Sequence, residues 1–183
     1  MDIGKDTGIL NNTFTYNVKR WIMGIFKRLS IPEVSIYTDG SCDNHGYGGW
    51  GAIILGKNSI IELCGNSRET TNNKMELTAV VESLNRIQDN VDVVVYTDSQ
   101  YVVSGIENIF HWRDNNWITK SSTPVKNLDL WKRFIEVIKN KHSVKAIWVK
   151  GHNGSVYNER CDTLAKCSRD KLIDMDRKRG IRR

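Results

Sequence analysis

The chain has 183 residues, 39% hydrophobic and 26% charged, with a formal net charge of +6 at pH 7. These values are typical of a globular protein with one domain of ordinary size, and no apolar run reaches the roughly 20 residues of a membrane-spanning helix. No secretory signal pattern opens the chain, and its four cysteines form no C-x-x-C pair, which argues against secretion, a disulfide framework and a zinc site. We therefore expect an intracellular protein, most simply a cytoplasmic one, with a nuclear or mitochondrial location left open for a eukaryotic source.

The positive charge is concentrated at the two ends of the chain. Residues 1–32 carry +3 and residues 169–183 carry +4, which leaves −1 for residues 33–168. We accordingly divide the chain into an N-terminal extension (1–32), a central domain (33–169) and a basic C-terminal tail (170–183). A nearly neutral centre can bind a polyanion only through local patches or bound cations.

The N-terminal extension has the pattern of a basic amphipathic helix. One helical face carries its apolar residues: Val18, Trp21, Ile22, Ile25, Phe26 and Leu29. The opposite face carries its basic residues: Lys19, Arg20, Lys27 and Arg28. Such a segment could be a transit peptide, a membrane-surface helix, a substrate-binding extension or a helix packed on the core.

From Val34 onward the pattern predicts three short strands, in the segments VSIYT, WGAIIL and SIIELCG. The glycine-rich stretch HGYGGWG between the first two predicts a bend, because it lacks the spacing of a phosphate-binding loop. The period then becomes helical in TTNNKMELTAVVESLNRIQ. Asn73 and Glu76 predict a capping box for this helix, with Glu76 in its first turn. Its apolar face consists of Met75, Ala79, Val80, Leu84 and Ile87.

The second half of the domain alternates between strand and helix patterns. VDVVVYT predicts a buried central strand, and the segment SQYVVSGIENI predicts a helix after it. After an irregular piece, NLDLWKRFIEVIKN predicts a helix, VKAIWV a strand and NERCDTLAKCSRDKL a last helix. The apolar face of the middle helix consists of Leu128, Trp131, Ile135 and Ile138. The order βββαβααβα predicts an α/β layered domain with a mixed sheet.

Four carboxylates stand at positions where this topology could bring them together. If the first strand and VDVVVYT pair in parallel, Asp39 and Asp98 end at the same edge of the sheet, where the backbone is held firmly. Glu76 opens the helix between them, and Asp162 lies one helical turn beyond Asn158. Each acid alone could be a cap or a surface residue. Together, each pair about 4 Å apart would repel by roughly 4 kcal/mol at an effective dielectric of 20, which cations such as Mg²⁺ would relieve.

Four strings, TDGS, TTNNKMEL, TDSQY and VKGHNGSVYNERCD, occur in this order and resemble the type 1 ribonuclease H family. The resemblance covers about residues 34–169. It implies a ribonuclease H-like layered fold, in which a five-stranded mixed β-sheet is flanked by helices. It also implies an endonuclease that hydrolyses the RNA strand of RNA–DNA hybrids and leaves 3′-hydroxyl and 5′-phosphate ends. We expect a monomer with no obligate protein partner.

The resemblance further implies the catalytic residues. Two Mg²⁺ ions, or Mn²⁺ as a substitute, would be held by Asp39, Glu76, Asp98 and Asp162, with Asp39 bridging the two. His152 resembles the mobile histidine that shuttles protons or assists product release.

The substrate-binding residues follow from the same resemblance. Asn72, Asn73 and Gln100 would read sugars and base edges in a minor groove, while Thr71 and Asn44 would contact the DNA strand's phosphate. The remaining candidates are Trp112, Lys120, Lys126 and Asn158. In the loop around Asn44 this chain has His45 and one residue fewer than many relatives, which leaves the role of Asn44 less defined.

A basic handle is present in the segment FHWRDNNWITKSSTPVKN, but RDNN between Trp112 and Trp117 carries no net charge. We interpret Trp117 and Trp131 as packing residues at the base of this handle. Because the handle is weakly charged, we expect the two basic ends of the chain to supply the missing phosphate contacts.

Two other functions use the same features. One is a DNA-directed nuclease or recombinase built on a similar sheet, against which TTNNKMEL and the histidine loop argue. The other is a hybrid-binding module without catalysis, which Mg²⁺-dependent turnover would exclude.

Overall fold

The computed structural model describes residues 33–88, 90–151 and 154–181, and these ranges contain five strands and four helices. Along the chain they are β1 (Glu33–Cys42), β2 (Gly48–Gly56), β3 (Ser59–Ser67), α1 (Asn72–Arg86), β4 (Asp92–Thr97), α2 (Gln100–Asp114), α3 (Leu128–Ile138), β5 (Ser143–Trp148) and α4 (Val156–Lys178). This is the predicted order of elements. The predictions for residues 1–32 and for His152 lie outside the described ranges. Within those ranges no helix has the length and apolar character needed to cross a membrane.

The five strands form one mixed sheet in the order β3-β2-β1-β4-β5. Strand β1 runs antiparallel to β2 and parallel to β4, and β5 continues the parallel half. The predicted five-stranded mixed sheet, with the first strand beside VDVVVYT, is therefore confirmed.

The expectation that Asp39 lies at the end of a strand was wrong in one respect. Strand β1 continues to Cys42, and Asp39 pairs with Gly51 of β2. The parallel pairing with β4, however, stops at Thr38 and Thr97. The next residue in each case is an aspartate, Asp39 within β1 and Asp98 just after β4, so both still reach the edge where β1 and β4 separate.

Helices cover both faces of the sheet. Adjacent glycines of β2 show this directly, because a Cβ at Gly48 would lie 2.7 Å from Met75 of α1, and a Cβ at Gly49 would lie 2.1 Å from the Ala165 carbonyl of α4. Helix α4 packs on β1, β2 and β3, while α1 packs on β1 and β2 and also contacts α3. Helix α2 packs on β4 and β5.

The main core lies between the sheet and helices α1, α2 and α3. Trp131 is fully buried, and its ring meets Phe134 edge-on with centroids 5.6 Å apart. Gly105 of α2 makes room for this indole, since a Cβ there would lie 2.1 Å from Trp131. The apolar face predicted for α3 was therefore right at Trp131. It missed Leu130 and Phe134, which are more deeply buried than Ile135 and Ile138.

The last helix is longer than the sequence pattern predicted. Helix α4 continues to Lys178, and Leu172 and Asp176 are buried against the domain. The proposed boundary between residues 169 and 170 thus falls inside a continuous helix. A separate role for the C-terminal residues stays a prediction.

Candidate active site

Asp39 is a buried carboxylate at the centre of the candidate site. Its side chain is 9% exposed, and the Gly40 N–H donates a 2.7 Å hydrogen bond to Oδ1. Burial raises the pKa of Asp39 to about 7, and the negative charges of Asp98, Asp162 and Glu76 act in the same direction. The four predicted carboxylates therefore lie close enough to interact electrostatically.

Glu76 reaches this cluster because α1 lies directly against β1. A Cβ at Gly40 would approach the Glu76 backbone nitrogen to 2.4 Å, so only glycine fits there. The Glu76 carboxylate accepts a 2.9 Å hydrogen bond from Asn72 Nδ2 and a short one from Ser99 Oγ. Burial and then the charge of Asp98 raise its pKa, while the hydrogen bonds from Ser99 and Asn72 lower it.

The predicted capping box between Asn73 and Glu76 was wrong. Thr71 caps α1 instead, its Oγ1 accepting from the Lys74 N–H at 3.3 Å. Glu76 consequently lies in the second turn rather than the first. Its two oxygens accept from the side chains of Asn72 and Ser99, so the carboxylate is engaged without a capping box.

Asp98 follows β4 and is half-buried. Asn158 Nδ2 lies 3.5 Å from Asp98 Oδ2, and Trp148 Nε1 donates to the Asp98 carbonyl at 3.0 Å. Gly151 brings the backbone of the next loop close, because a Cβ there would lie 2.5 Å from Asp98 Oδ2. Asn158 is 3% exposed, and no protein group hydrogen-bonds its Oδ1 in the described structure. Such an unpaired buried acceptor indicates a place for an additional donor or cation.

Asp162 lies on α4 and is half-buried. Lys166, one turn later, contacts its Oδ2 at 2.7 Å. The height of α4 above the sheet depends on β2, where a Cβ at Gly51 would lie 2.4 Å from the Cys161 carbonyl. A glycine on β2 thus allows Asp162 to approach Asp39.

The donor set suits a hard divalent cation. Carboxylate oxygens are the ligands that Mg²⁺ and Mn²⁺ take in proteins, and a cation would offset both the burial and the neighbouring negative charges that raise the pKa of Asp39. Within the ranges described, no three His, Cys, Asp or Glu side chains already stand together at the spacing of a complete ligand set. The four carboxylates therefore interact electrostatically but do not converge on a single point. Lys166 contacts one oxygen of Asp162.

The predicted substrate-binding residues divide into two groups. Thr71, Asn73 and Gln100 are exposed at the start of a helix, and Asn44 is exposed in the turn after β1, so a ligand could reach all four. Asn72 donates to Glu76, and Asn158 lies beside Asp98, so the structure ties these two amides to the carboxylates.

The predicted handle residues differ in exposure. Lys120 and Lys126 are exposed. Trp112 is half-buried and meets Trp131 edge-on with centroids 5.5 Å apart, so it packs at the base of the handle. Trp117 is half-buried against the same core, as we interpreted from the sequence. A substrate contact by Trp112 stays a prediction.

Sequence reasoning missed Ser99. It caps α2, accepting from the Val102 N–H at 3.3 Å, and also donates to Glu76. The sequence could have indicated its role as a cap, since a serine just before a predicted helix is a common N-cap. Its second role depends on a contact with another helix, which no local pattern reveals.

Comparisons with known proteins agree with this geometry. The RNase H family model matches residues 32–169. Ribonuclease H of Pseudoalteromonas atlantica is 50% identical over 138 residues, covering 74% of this chain and 90% of that protein. Ribonuclease HI of Neisseria meningitidis serogroup B is 48% identical over 134 residues, covering 72% of this chain and 92% of that protein.

Two solved structures share the fold. One is LC9-RNase H1, a type 1 RNase H with the type 2 active-site motif, at a TM-score of 0.66 and 30% identity over 77% of this chain and 74% of that one. The other is a foamy viral protease-reverse transcriptase in complex with an RNA/DNA hybrid, at a TM-score of 0.65 and 22% identity, covering 74% of this chain and 20% of that one. The second shows the fold alone. With its sheet, its four carboxylates and this family match over most of its length, the chain belongs to the RNase H family.

Proposed function

We propose that this protein is an endonuclease that hydrolyses the RNA strand of RNA–DNA hybrids and leaves 3′-hydroxyl and 5′-phosphate ends. The observation that carries the proposal is the electrostatic coupling of buried Asp39 to Asp98, Asp162 and Glu76. A carboxylate cluster of this kind is costly unless it serves chemistry that uses cations. Family membership supplies the substrate class.

The cluster would hold two Mg²⁺ ions through Asp39, Glu76, Asp98 and Asp162, with Mn²⁺ as a substitute, and the ions would supply an acidified water and stabilise the developing charge. The protein's own part is to place these ligands. Ser99 and Asn72 orient Glu76 through two hydrogen bonds, and the Gly40 N–H fixes one oxygen of Asp39. His152 would move a proton near the reacting phosphate.

Substrate recognition would come from the residues around this cluster. Asn73 and Gln100, with Asn72, would contact sugars and base edges, where a 2′-hydroxyl distinguishes RNA from DNA. Thr71 caps the N-terminus of α1, a position that favours a phosphate. Asn44 would contact the same DNA strand, and Lys120 and Lys126 would contact its backbone farther along.

The test is cleavage of an end-labelled RNA–DNA hybrid, with duplex DNA, duplex RNA and single-stranded RNA of the same sequence as controls. We expect cleavage of the RNA strand of the hybrid alone, dependent on Mg²⁺ or Mn²⁺ and abolished by EDTA. Ligation and phosphatase treatment of the products identify the ends. Equal cleavage of duplex DNA would favour the DNA-directed nuclease, and tight hybrid binding without turnover would favour the non-catalytic module.

A further inference from the structure

Buried Asp176, near the end of α4, pairs with the partly exposed Arg68 and also hydrogen-bonds Tyr47, which joins α4 to the segment after β1 and the segment before α1. Asp176 is 1% exposed, and its Oδ2 accepts hydrogen bonds from Arg68 Nε at 2.8 Å and from the Tyr47 hydroxyl at 3.0 Å. Arg68 also contacts the second carboxylate oxygen. The hydrogen bonds from Arg68 and Tyr47 lower the pKa of Asp176 to about 2, so its carboxylate is negatively charged near neutral pH.

Tyr47 closes the turn that presents Asn44. Its N–H donates to Asp43 Oδ1 at 2.8 Å, and its carbonyl accepts from the Asp43 N–H at 2.9 Å. The turn 43–47 is therefore a closed unit, with exposed Asn44 at its tip and the buried Tyr47 ring as its anchor.

Arg68 anchors the segment that presents Thr71. It directly follows β3 and stands two residues before Thr70, whose N–H donates to the Gly46 carbonyl at 3.1 Å. The two substrate-side segments are thus bonded to each other, and both are bonded to the same carboxylate. Asp176 lies beyond residue 169, where the family match ends, so no motif of that match contains it.

We propose that Asp176 is a positioning residue for the substrate-binding edge, where it fixes the Asn44 turn and the Thr71 segment through Tyr47 and Arg68. This inference rests on the proposed function, because it assigns the two segments to hybrid binding. It predicts a loss of substrate affinity on substitution, with the chemistry at the carboxylates retained.

The decisive variant is Asp176→Asn, matched with Asp174→Asn. Both remove one negative charge from the same helix, but Asp174 is exposed and pairs only loosely with Arg177 at 3.7 Å. Removing a negative charge near a polyanion should by itself lower KM, and Asp174→Asn measures that effect. If Asp176 positions the two segments, Asp176→Asn should instead raise KM for the hybrid by about three- to tenfold, a usual size for a disrupted hydrogen-bond network, with kcat nearly unchanged.

Amide hydrogen exchange gives a readout that does not depend on activity. The N–H groups of Thr70 and Tyr47 should exchange faster in Asp176→Asn than in Asp174→Asn, while α1 keeps its protection. Tyr47→Phe, which removes only the hydroxyl, should shift KM in the same direction by less and serves if Asp176→Asn does not fold. The double variant Arg68→Gln with Asp176→Asn should be no worse than the worse single variant.

The outcomes separate the two proposals. A wild-type protein that does not cleave hybrids overturns the proposed function, and the exchange data alone then decide whether Asp176 holds the segments. A wild-type enzyme that cleaves, with an Asp176→Asn variant that loses thermal stability but keeps KM, kcat and the exchange of Thr70 and Tyr47, overturns the positioning role.

Discussion

Asp39 shows how much of a candidate catalytic residue a sequence can reveal. Its position at the end of an apolar segment, and that of Asp98 at the end of another, were visible as a pattern, and the structure brings the two carboxylates close enough to interact electrostatically. Ser99 was not found, because its hydrogen bond to Glu76 connects residues far apart in sequence. The charged groups of this site were predictable from the sequence, whereas the neutral group that orients one of them was not.

We expect Asp39→Asn to abolish hybrid cleavage while the fold is kept, since an amide is a poor ligand for Mg²⁺ but has nearly the same shape. Activity on a labelled hybrid and the circular dichroism spectrum are the measurements. Turnover close to that of the wild type would rule out Asp39 as a ligand.

The pKa of Asp39 leads to a separate prediction for stability in EDTA. Because the folded pKa is raised from 3.8 to about 7, the folded state holds this proton more tightly than the unfolded state. The stabilising contribution is complete below pH 4 and is lost as the pH rises through 7, by at most about 4 kcal/mol. Asp39→Asn lacks this loss, so its unfolding free energy relative to the wild type should increase between pH 4 and 7. Parallel pH profiles from denaturant titration would contradict this prediction.

For His152 we expect a partial loss of activity. A group that moves protons assists the reaction without holding the ligands together, so His152→Ala should lower kcat by about 10²-fold. Single-turnover rates measured across pH test this. A complete loss equal to that of Asp39→Asn would assign His152 a different role.

At the scale of elements, helix starts were harder to predict than helix faces. The predicted face of α1 was correct at Met75, Ala79, Val80 and Leu84, while Ile87 lies just beyond the helix and the cap is Thr71, not Asn73. Both residues are good caps by type, so the choice depends on tertiary contacts. The Thr70 N–H, just before the cap, donates to the Gly46 carbonyl of another turn, and the local sequence does not contain that contact.

The glycines of β2 give a prediction at the same scale. Gly51→Ala should reduce kcat by at least about tenfold, since a Cβ 2.4 Å from the Cys161 carbonyl must displace α4 and with it Asp162. Gly56→Ala is the matched control on the same strand, because the one tight contact of its Cβ would be with the movable Ser59 hydroxyl at 2.8 Å. Hybrid cleavage and thermal unfolding of both variants provide the comparison. Equal kcat values would show that α4 tolerates the shift.

For the molecule as a whole, the sequence predicted the topology better than the extent of the domain. The alternation of periods predicted the mixed sheet, which the structure confirms. The C-terminal segment looked like a tail because Arg and Lys dominate its composition. Composition could not show that Leu172 and Asp176 turn inward while Arg177, Lys178 and Arg179 remain exposed.

This arrangement changes how a substrate contact by the C-terminal residues should be tested. Deleting residues 170–183 would also remove Leu172 and Asp176 from the fold, so we favour replacing Arg177, Lys178 and Arg179 by glutamine. KM should rise and the slope of log KM against log salt should flatten by up to about 0.9 per lost phosphate contact, with kcat at saturation unchanged. Titrations between low and physiological salt measure this. An unchanged slope would point to a targeting or partner-binding role for these residues.

The parallel pairing of β1 with β4 has a consequence for the protein's synthesis. Strands β2 and β3 and helix α1 separate these two strands along the chain, so their pairing must wait for a long loop to close. Asp162 is supplied later still, by the last helix. A nascent chain on the ribosome therefore carries Asp39 and Glu76 before it carries a nuclease. The four carboxylates can therefore come together only after this last helix has been synthesised.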